Sequence, residues 1–267
     1  MKTLLDIGTF EQVNSEAGTL VVEIGDTYAV LSLLDEDKKR VEAFQVLSFD
    51  PLEEILPPLL EQLAPAGSSF RKVIISPAFP QALLVPHKLF RKESSLLEAV
   101  YEMGEVQQLH DVVGEWQVVN CYAVPYFLYK TLAEAFPSAA FLHAYTPLLK
   151  SPDAAAEHQL TVHFVHNIFR VLVKKSRQLQ LVQTFVYETP ADVAYLLLKI
   201  CKEYHMAPAD TALLLSGLIG EDSDLLHELK TWFRQVYFTT AAGLSSPGKN
   251  LPGHYFSSLH NLAVCAS

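Results

Sequence analysis

Residues Thr19 to Phe49 read "TLVVEIGDTYAVLSLLDEDKKRVEAFQVLSF", and their periodicity decides the fold. Three apolar or alternating bursts, Thr19–Ile24, Thr27–Leu34 and Arg40–Phe49, predict three β-strands, because side chains alternate across a strand and one covered on both faces is apolar throughout. Gly25-Asp26 predicts a tight hairpin turn between the first two. The polar "DEDKK" predicts a solvated loop before the third. "DPLEEILPPLLEQL" then predicts a helix with Asp50 as its cap and Pro51 at its first position, broken or restarted at Pro57-Pro58.

From residue 159 the pattern returns in "QLTVHFVHNIFRVLVKKSRQLQLVQTFVYETPADVAYLLLKICKEY". Three bursts, Gln159–Val165, Ile168–Lys174 and Leu179–Tyr187, are separated by a short turn and then by the basic-polar "KKSRQ". Thr189-Pro190 caps a helix with Val193, Leu196, Leu197, Ile200, Cys201 and Tyr204 on one face. Leu20 corresponds to Leu160, an offset of 140, and Pro51 to Pro190, an offset of 139. Two strand–strand–strand–helix units in near register indicate an internal structural repeat.

Each unit continues in alternation. The first predicts a strand at Lys72–Ser76, an extended piece at Ala82–Val85, a helix near Ser94–Gln107 and a strand at Trp116–Cys121. A helix opened by Pro125 and a strand at Ala139–His143 follow. The second predicts a strand at Thr211–Ser216, a helix capped by Asp222 or Ser223, a strand at Gln235–Thr239 and a closing helix near His254–Val264. This order argues for two α/β domains with mixed sheets. Residues 1–18 read as an N-terminal arm, 19–150 as the first domain and 151–267 as the second. A single irregular α/β domain is the alternative.

Composition narrows the function classes. The chain has 267 residues, half of them hydrophobic and only 19% charged, enough for one large core or two ordinary ones. No apolar run approaches the roughly 20 residues that span a bilayer, and the first ten residues lead us to expect no signal peptide. Cys121, Cys201 and Cys265 lie far apart among apolar neighbours. They read as reduced thiols without zinc spacing, which favours a cytoplasmic location. A net charge of −10 repels phosphate backbones and argues against nucleic acid as a partner.

The duplicated order of strands and helices resembles the actin-like ATPase fold, in which two ribonuclease-H-like domains face a cleft. More narrowly, the chain resembles an uncharacterised bacterial family assigned to that fold. The matching stretches are "LVVEIGDTYAVLSL", "VVNCYAVPYFLYKTLAEAFPSAAFLHAYTPLL" and "LTVHFVHNIFRVLV", and the resemblance covers nearly everything after residue 17. It implies an α/β fold of two ribonuclease-H-like domains. Its stretches are patterns of apolar spacing, so they imply no particular chemistry.

In ATPases of that fold an aspartate ends each domain's first strand, and glycine lets the backbone approach phosphate. Residues Leu4 to Phe10, "LLDIGTF", carry such letters, but the polar "EQVNSEAG" follows where a strand is needed. That stretch reads as a chance match in a strandless arm. The turn in the loop's position is "EIGDT". There Glu23 replaces the aspartate, Gly25 matches, and Asp26 takes the usual hydroxyl position next to Thr27, where a carboxylate repels phosphate. A plain Gly-Asp hairpin turn is the alternative. The corresponding "HFVHN" has neither aspartate nor glycine and sets His163 within a residue or so of the acidic position. "LLLSGLIGED", with Ser216 and Gly217, is either a degenerate adenosine loop or a strand-to-helix turn. Glu23, Gly25, Asp26, Thr27, Ser216 and Gly217 are thus candidates for a degenerate nucleotide site. Neither ATP hydrolysis nor a bound cofactor or metal is expected.

Weaker candidates remain. His163 and His166 lie three apart on a strand and its turn, so they point to different faces. Glu98, Glu102 and Glu105 have the spacing of a solvated helix face. Tyr122, Tyr126, Phe127 and Tyr129 read as core packing or as an exposed aromatic patch suited to a protein partner or a homodimer. Two function classes follow: a non-catalytic actin-like scaffold or adaptor, and a divergent nucleotide-binding ATPase. The missing acidic and glycine positions favour the first.

Overall fold

The computed structural model describes residues 1–8, 10, 18–35, 37, 39–63, 70–92, 96–151, 156–240, 244–245 and 251–266. Residues 1–147, 243–251 and 259–267 form one unit; residues 148–242 and 252–258 form another. The first contains β1 (Lys2–Ile7), β2 (Thr19–Ile24), β3 (Tyr28–Leu34), β4 (Val41–Ser48), α1 (Leu56–Leu63) and β5 (Lys72–Pro77). It continues with β6 (Ala82–Pro86), β7 (Val106–Val113), β8 (Val118–Pro125), α2 (Tyr126–Ala135) and β9 (Ala140–Phe141), and α3 (Tyr145–Leu149) follows.

The expected triplet forms β2, β3 and β4 in antiparallel order, and β5 joins parallel to β2. The six-stranded order is β1-β4-β3-β2-β5-β9. Pro57 and Pro58 fall in the first turn of α1, where a missing N–H leaves no intrahelical bond unmade, so the proline pair starts this helix. Before it, Leu52–Glu54 forms a single 3-10 turn in place of the expected longer helix.

Two expectations for this unit are corrected. The start of the chain is not strandless: β1 pairs antiparallel with β4, Lys2 opposite Ser48 and Ile7 opposite Phe44. Its side chains are mostly exposed, so backbone pairing forms the strand and leaves little apolar pattern to read. The helix expected near Ser94–Gln107 does not form among the described residues, 96–107. Among those described, 96–100 form turns and Val106 already begins β7, in which Leu109, Asp111 and Val113 point inward between exposed neighbours. The glutamates imitated a helical face; the decisive signal is the period of two after Gln108. β7 and β6 flank β8 in a separate three-stranded antiparallel sheet over a small core of Val85, Leu97, Val119, Cys121 and Ala123.

The second unit runs β10 (His158–Val165), β11 (Ile168–Lys175), β12 (Gln178–Val186), α4 (Pro190–Glu203), β13 (Ala212–Gly217), α5 (Asp224–Trp232) and β14 (Gln235–Phe238). Its sheet order is β12-β11-β10-β13-β14, the same as β4-β3-β2-β5-β9. The registers also agree at a spacing of 140 residues. Glu23 lies opposite Ser76 and His163 opposite Ser216; Ile24 opposite Ala29 and Phe164 opposite Phe169. Thr189 and Asp192 cap α4 reciprocally, and the Ser223 hydroxyl accepts from the Leu226 N–H at 3.2 Å to start α5.

The two faces of this second sheet differ. Leu160, Val162 and Phe164 alternate onto an apolar face packed against Val193 and Leu197 of α4 and Leu226 of α5. Each such side chain contributes about 1.5–3 kcal/mol by leaving water. The residues between them, Gln159, Thr161 and His163, face the other way and are buried as well, as are Arg170, Lys174 and Ser216. This is a buried polar face.

The end of the chain supplies pieces of the first unit. The Ser245 N–H donates to the Lys39 carbonyl at 2.8 Å, and the Val41 N–H donates to the Ser245 carbonyl at 2.9 Å. A last helix, α6 (Ser257–Cys265), is counted with that unit from Leu259 onward, and the Lys72 ammonium donates to the Ala266 carbonyl. Among the described residues no helix is long and apolar enough to cross a membrane.

Candidate functional site

The turn between β2 and β3 gathers four of the candidate residues. Glu23 is the last inward-pointing residue but one of β2, only 1% exposed, and the Tyr28 phenol donates to its Oε1 at 2.8 Å. The Gly25 N–H donates to the Tyr28 carbonyl at 2.9 Å and closes the turn, with Asp26 exposed at its tip. The Thr27 carbonyl is taken by the Phe49 N–H at 3.0 Å, which ties the turn to the end of β4. A Cβ on Gly25 would stand 2.6 Å from Cε1 of Tyr28. The room that glycine leaves is therefore filled by a phenol ring, and that ring is held by the buried carboxylate beside it.

This arrangement makes Gly25 a packing residue. Gly25→Ala is expected to displace the Tyr28 ring and cost about 1–3 kcal/mol, the range for overfilling a packed site. Urea unfolding measures it; an unchanged midpoint would show that the ring moves aside freely.

In the second unit the equivalent strand end carries His163, whose Nδ1 lies 3.0 Å from the Ser216 hydroxyl. Gly217 has φ +80°, and a Cβ there would meet the Phe164 carbonyl oxygen at 2.0 Å. The next residue uses that same oxygen: the Leu218 N–H donates to it at 2.8 Å. Gly217 is where the end of β13 passes against β10, and its left-handed backbone and missing side chain are both used there. His166 sits in the β10–β11 turn at φ 49°, its pKa lowered by burial. His163 and His166 occupy strand and turn as expected. Of the six candidates, Glu23, Gly25, Asp26 and Thr27 lie at the β2–β3 turn, where Tyr28 packs on Gly25, and Ser216 and Gly217 lie at the end of β13, where His163 meets Ser216.

The aromatic cluster divides. Tyr122 is 1% exposed and belongs to the core, while Tyr126 and Phe127 at the start of α2 are 45% and 37% exposed. Tyr129 packs on Phe141, ring centroids 5.1 Å apart.

One polar cluster escaped the sequence reading. Asp111 of β7 is buried and accepts three hydrogen bonds: from the Tyr122 phenol at 3.1 Å, the His143 N–H at 2.7 Å and the Thr146 hydroxyl. Burial pushes its pKa up, and the hydrogen bonds pull partly back. Burial, and after it the same carboxylate, push the Tyr122 phenol pKa well up. The His143 Nδ1 accepts from the Tyr145 N–H at 3.2 Å, so Nε2 carries the proton and donates to the Phe79 carbonyl at 3.0 Å. With both ring nitrogens engaged, this cluster is a pin between β7 and the segment after β9. The alternation around "LHDVV" was the one signal that could have found it.

Comparison with known proteins places these features. The family described as "Protein of unknown function (DUF3822)" matches residues 7–236. A comparison with curated proteins finds no match. Among solved structures, the chain is similar to a Bacteroides thetaiotaomicron protein with an actin-like ATPase fold and unknown function. The two are 19% identical with a TM-score of 0.73, covering 93% of this chain and 96% of that one. It is also similar to a PilM–PilN type IV pilus biogenesis complex, at 12% identity, TM-score 0.57, and 95% and 99% coverage. A third similarity is to the cytoplasmic domain of EpsL, an inner membrane component of the type II secretion system of Vibrio cholerae. There the identity is 12%, the TM-score 0.52 and the coverage 94% and 96%. The strand orders and these neighbours agree on an α/β protein of two ribonuclease-H-like domains with the actin-like ATPase fold, and the chain belongs to the DUF3822 family.

Proposed function

We propose that the chain is a non-catalytic actin-like scaffold or adaptor, a cytoplasmic pseudo-enzyme that works through protein–protein contacts. The observation that carries this reading is the Tyr28 ring over Gly25, hydrogen-bonded to buried Glu23. Phosphate binding by such a turn needs open backbone amides and a metal-holding acid, and here the glycine's space and one carboxylate oxygen are both occupied. Gly217, committed to the Phe164 carbonyl, supports the same view of the second unit. A duplicated ancestral domain accounts for the registers that repeat at 140 residues. By their descriptions, two proteins of this fold belong to larger assemblies, a pilus biogenesis complex and a secretion system, which is compatible with a role through partners.

The competing reading, a divergent nucleotide-binding ATPase, rests on Glu23 standing near the acidic position with Gly25 and Thr27 after it. Loss of one preorganised donor costs phosphoryl or acyl transfer about 3 kcal/mol, more than a hundredfold in rate, so several losses leave background. A phosphate-release assay with magnesium and ATP is expected to show no turnover above the no-protein control. Turnover that Glu23→Gln abolishes, while leaving the Tyr28 hydrogen bond an acceptor, would overturn the proposal.

A further inference from the structure

A recess opens beside the three-stranded sheet of the first unit. Its apolar part is made by Phe90, Leu96, Leu97, Leu109 and the Cys121 thiol. Burial, and after it the charge of Asp111, hold that thiol above its ordinary pKa. Cys121 therefore contributes a small apolar group and not a thiolate. Arg91, Lys92, Gln108 and His110 line the rest, all four of them exposed. The space is about 450 Å³ with its open mouth included, which suits the body of a small molecule. The Phe90 and His110 rings lie 5.0 Å apart and make one wall aromatic.

Charge sets this recess apart. The chain carries a net −10, yet "HKLFRK", residues 87–92, holds three of its twenty lysines and arginines and no acid. Two of those three, Arg91 and Lys92, line the recess, and none of the described residues lining it is acidic. The Arg91 Nη1 donates to the Phe90 carbonyl at 2.8 Å, which holds the guanidinium close to the lining segment. The Gln108 amide donates to Glu98 at 2.9 Å, and Glu98 stands outside the lining. We propose that this recess binds a small anionic amphiphile, a carboxylate on a short aliphatic or aromatic body. The body takes the leucines and the thiol out of water, while the head meets Lys92 and Arg91 at the mouth and stays partly solvated. A bare anion forgoes the burial, an uncharged body forgoes the cations, and a cation is repelled.

None of the nucleotide-loop candidates lines this recess, so the inference goes beyond the scaffold reading and does not depend on it. Calorimetric titration of the full chain with octanoate is expected to show one saturable site, millimolar or tighter. Acetate and 1-octanol each keep one half of that chemistry and should bind at least about tenfold more weakly. Lys92→Glu changes an exposed residue, so the fold is not at stake, and should weaken octanoate by about threefold to tenfold. Lys130→Glu, at an exposed lysine of α2 outside the recess, changes the net charge equally and should leave the affinity as it was. Absence of saturable octanoate binding overturns the proposal. So does 1-octanol binding as tightly as octanoate, or an equal response to the two lysine substitutions. Each of these outcomes leaves the phosphate-release result standing, and the reverse holds.

Discussion

Asp111→Ala is expected to lower the unfolding free energy by about 3–5 kcal/mol, because it strands several buried donors at once. The Tyr122 and Thr146 hydroxyls can turn toward other acceptors, but the His143 N–H is fixed by the backbone and has its acceptor in that carboxylate. Asp111→Asn keeps the shape while offering one oxygen, and should fall between wild type and alanine. The pair also reports a titration. Burial raises the folded-state pKa of Asp111 above its ordinary 3.8. A carboxyl with a raised folded pKa contributes stability that is present below the unfolded value and lost as pH rises through the folded one. Wild type should therefore gain on Asp111→Asn as pH is lowered from neutrality toward 4. Urea titrations at several pH values measure the gap; a constant gap would assign the acid sensitivity to other groups.

Gly217→Ala should be at least as damaging, at about 4 kcal/mol or more, because left-handed backbone strain adds to a collision with backbone. At φ +80°, with the Phe164 oxygen 2.0 Å from the added carbon, β13 and β10 cannot keep both their register and the Leu218 hydrogen bond. The neighbouring flexible side chain offers no relief, since His163 Cε1 is itself 2.9 Å from that position. Gly220→Ala is the control. Its nearest neighbour would be 3.8 Å away, and a change within about 0.5 kcal/mol is expected there. Thermal melts of the two variants, followed by circular dichroism, separate a glycine kept for strand packing from one kept merely for a turn. Equal melting of both would remove the packing argument.

The hairpins were legible because burial on both faces leaves continuous apolar runs, and because Gly25-Asp26 marks a turn whatever surrounds it. The helices α4 and α5 were legible through their caps, Thr189 and Ser223. β1 was not, since its partner is backbone and "KTLLDI" has no clean alternation. Gly8 in that stretch resembles a phosphate-loop glycine, yet at φ +73° it lies where a Cβ would stand 2.2 Å from the Glu42 carbonyl oxygen, so it serves the approach to β4. Thr9 and residues 11–17, the turn-rich part of that reading, lie outside the described residues, as do 36 and 38 of the loop before β4. The candidate loop letters fall at the ends of β2 and β13. What fills the space beside Gly25 could not be read, because nothing in the letters says that Tyr28 folds back over it. The Asp111 cluster was hidden for a related reason: its partners His143 and Thr146 are 32 and 35 residues away. A lone aspartate in a short alternation reads as surface until those donors are seen.

The return of the last residues to the first unit has a consequence for the order of events at the ribosome. Lys39 and Val41 leave the exit tunnel early, but their partner Ser245 is 206 residues from Lys39 along the chain. Between Pro147 and residue 243 almost all of the second unit must be translated first. At 5–20 residues per second that is a delay of roughly 5–20 s. Throughout it the N-terminal half waits incomplete, while the C-terminal half, nearly continuous in sequence, can mature as it emerges. The part of the protein made first is finished last.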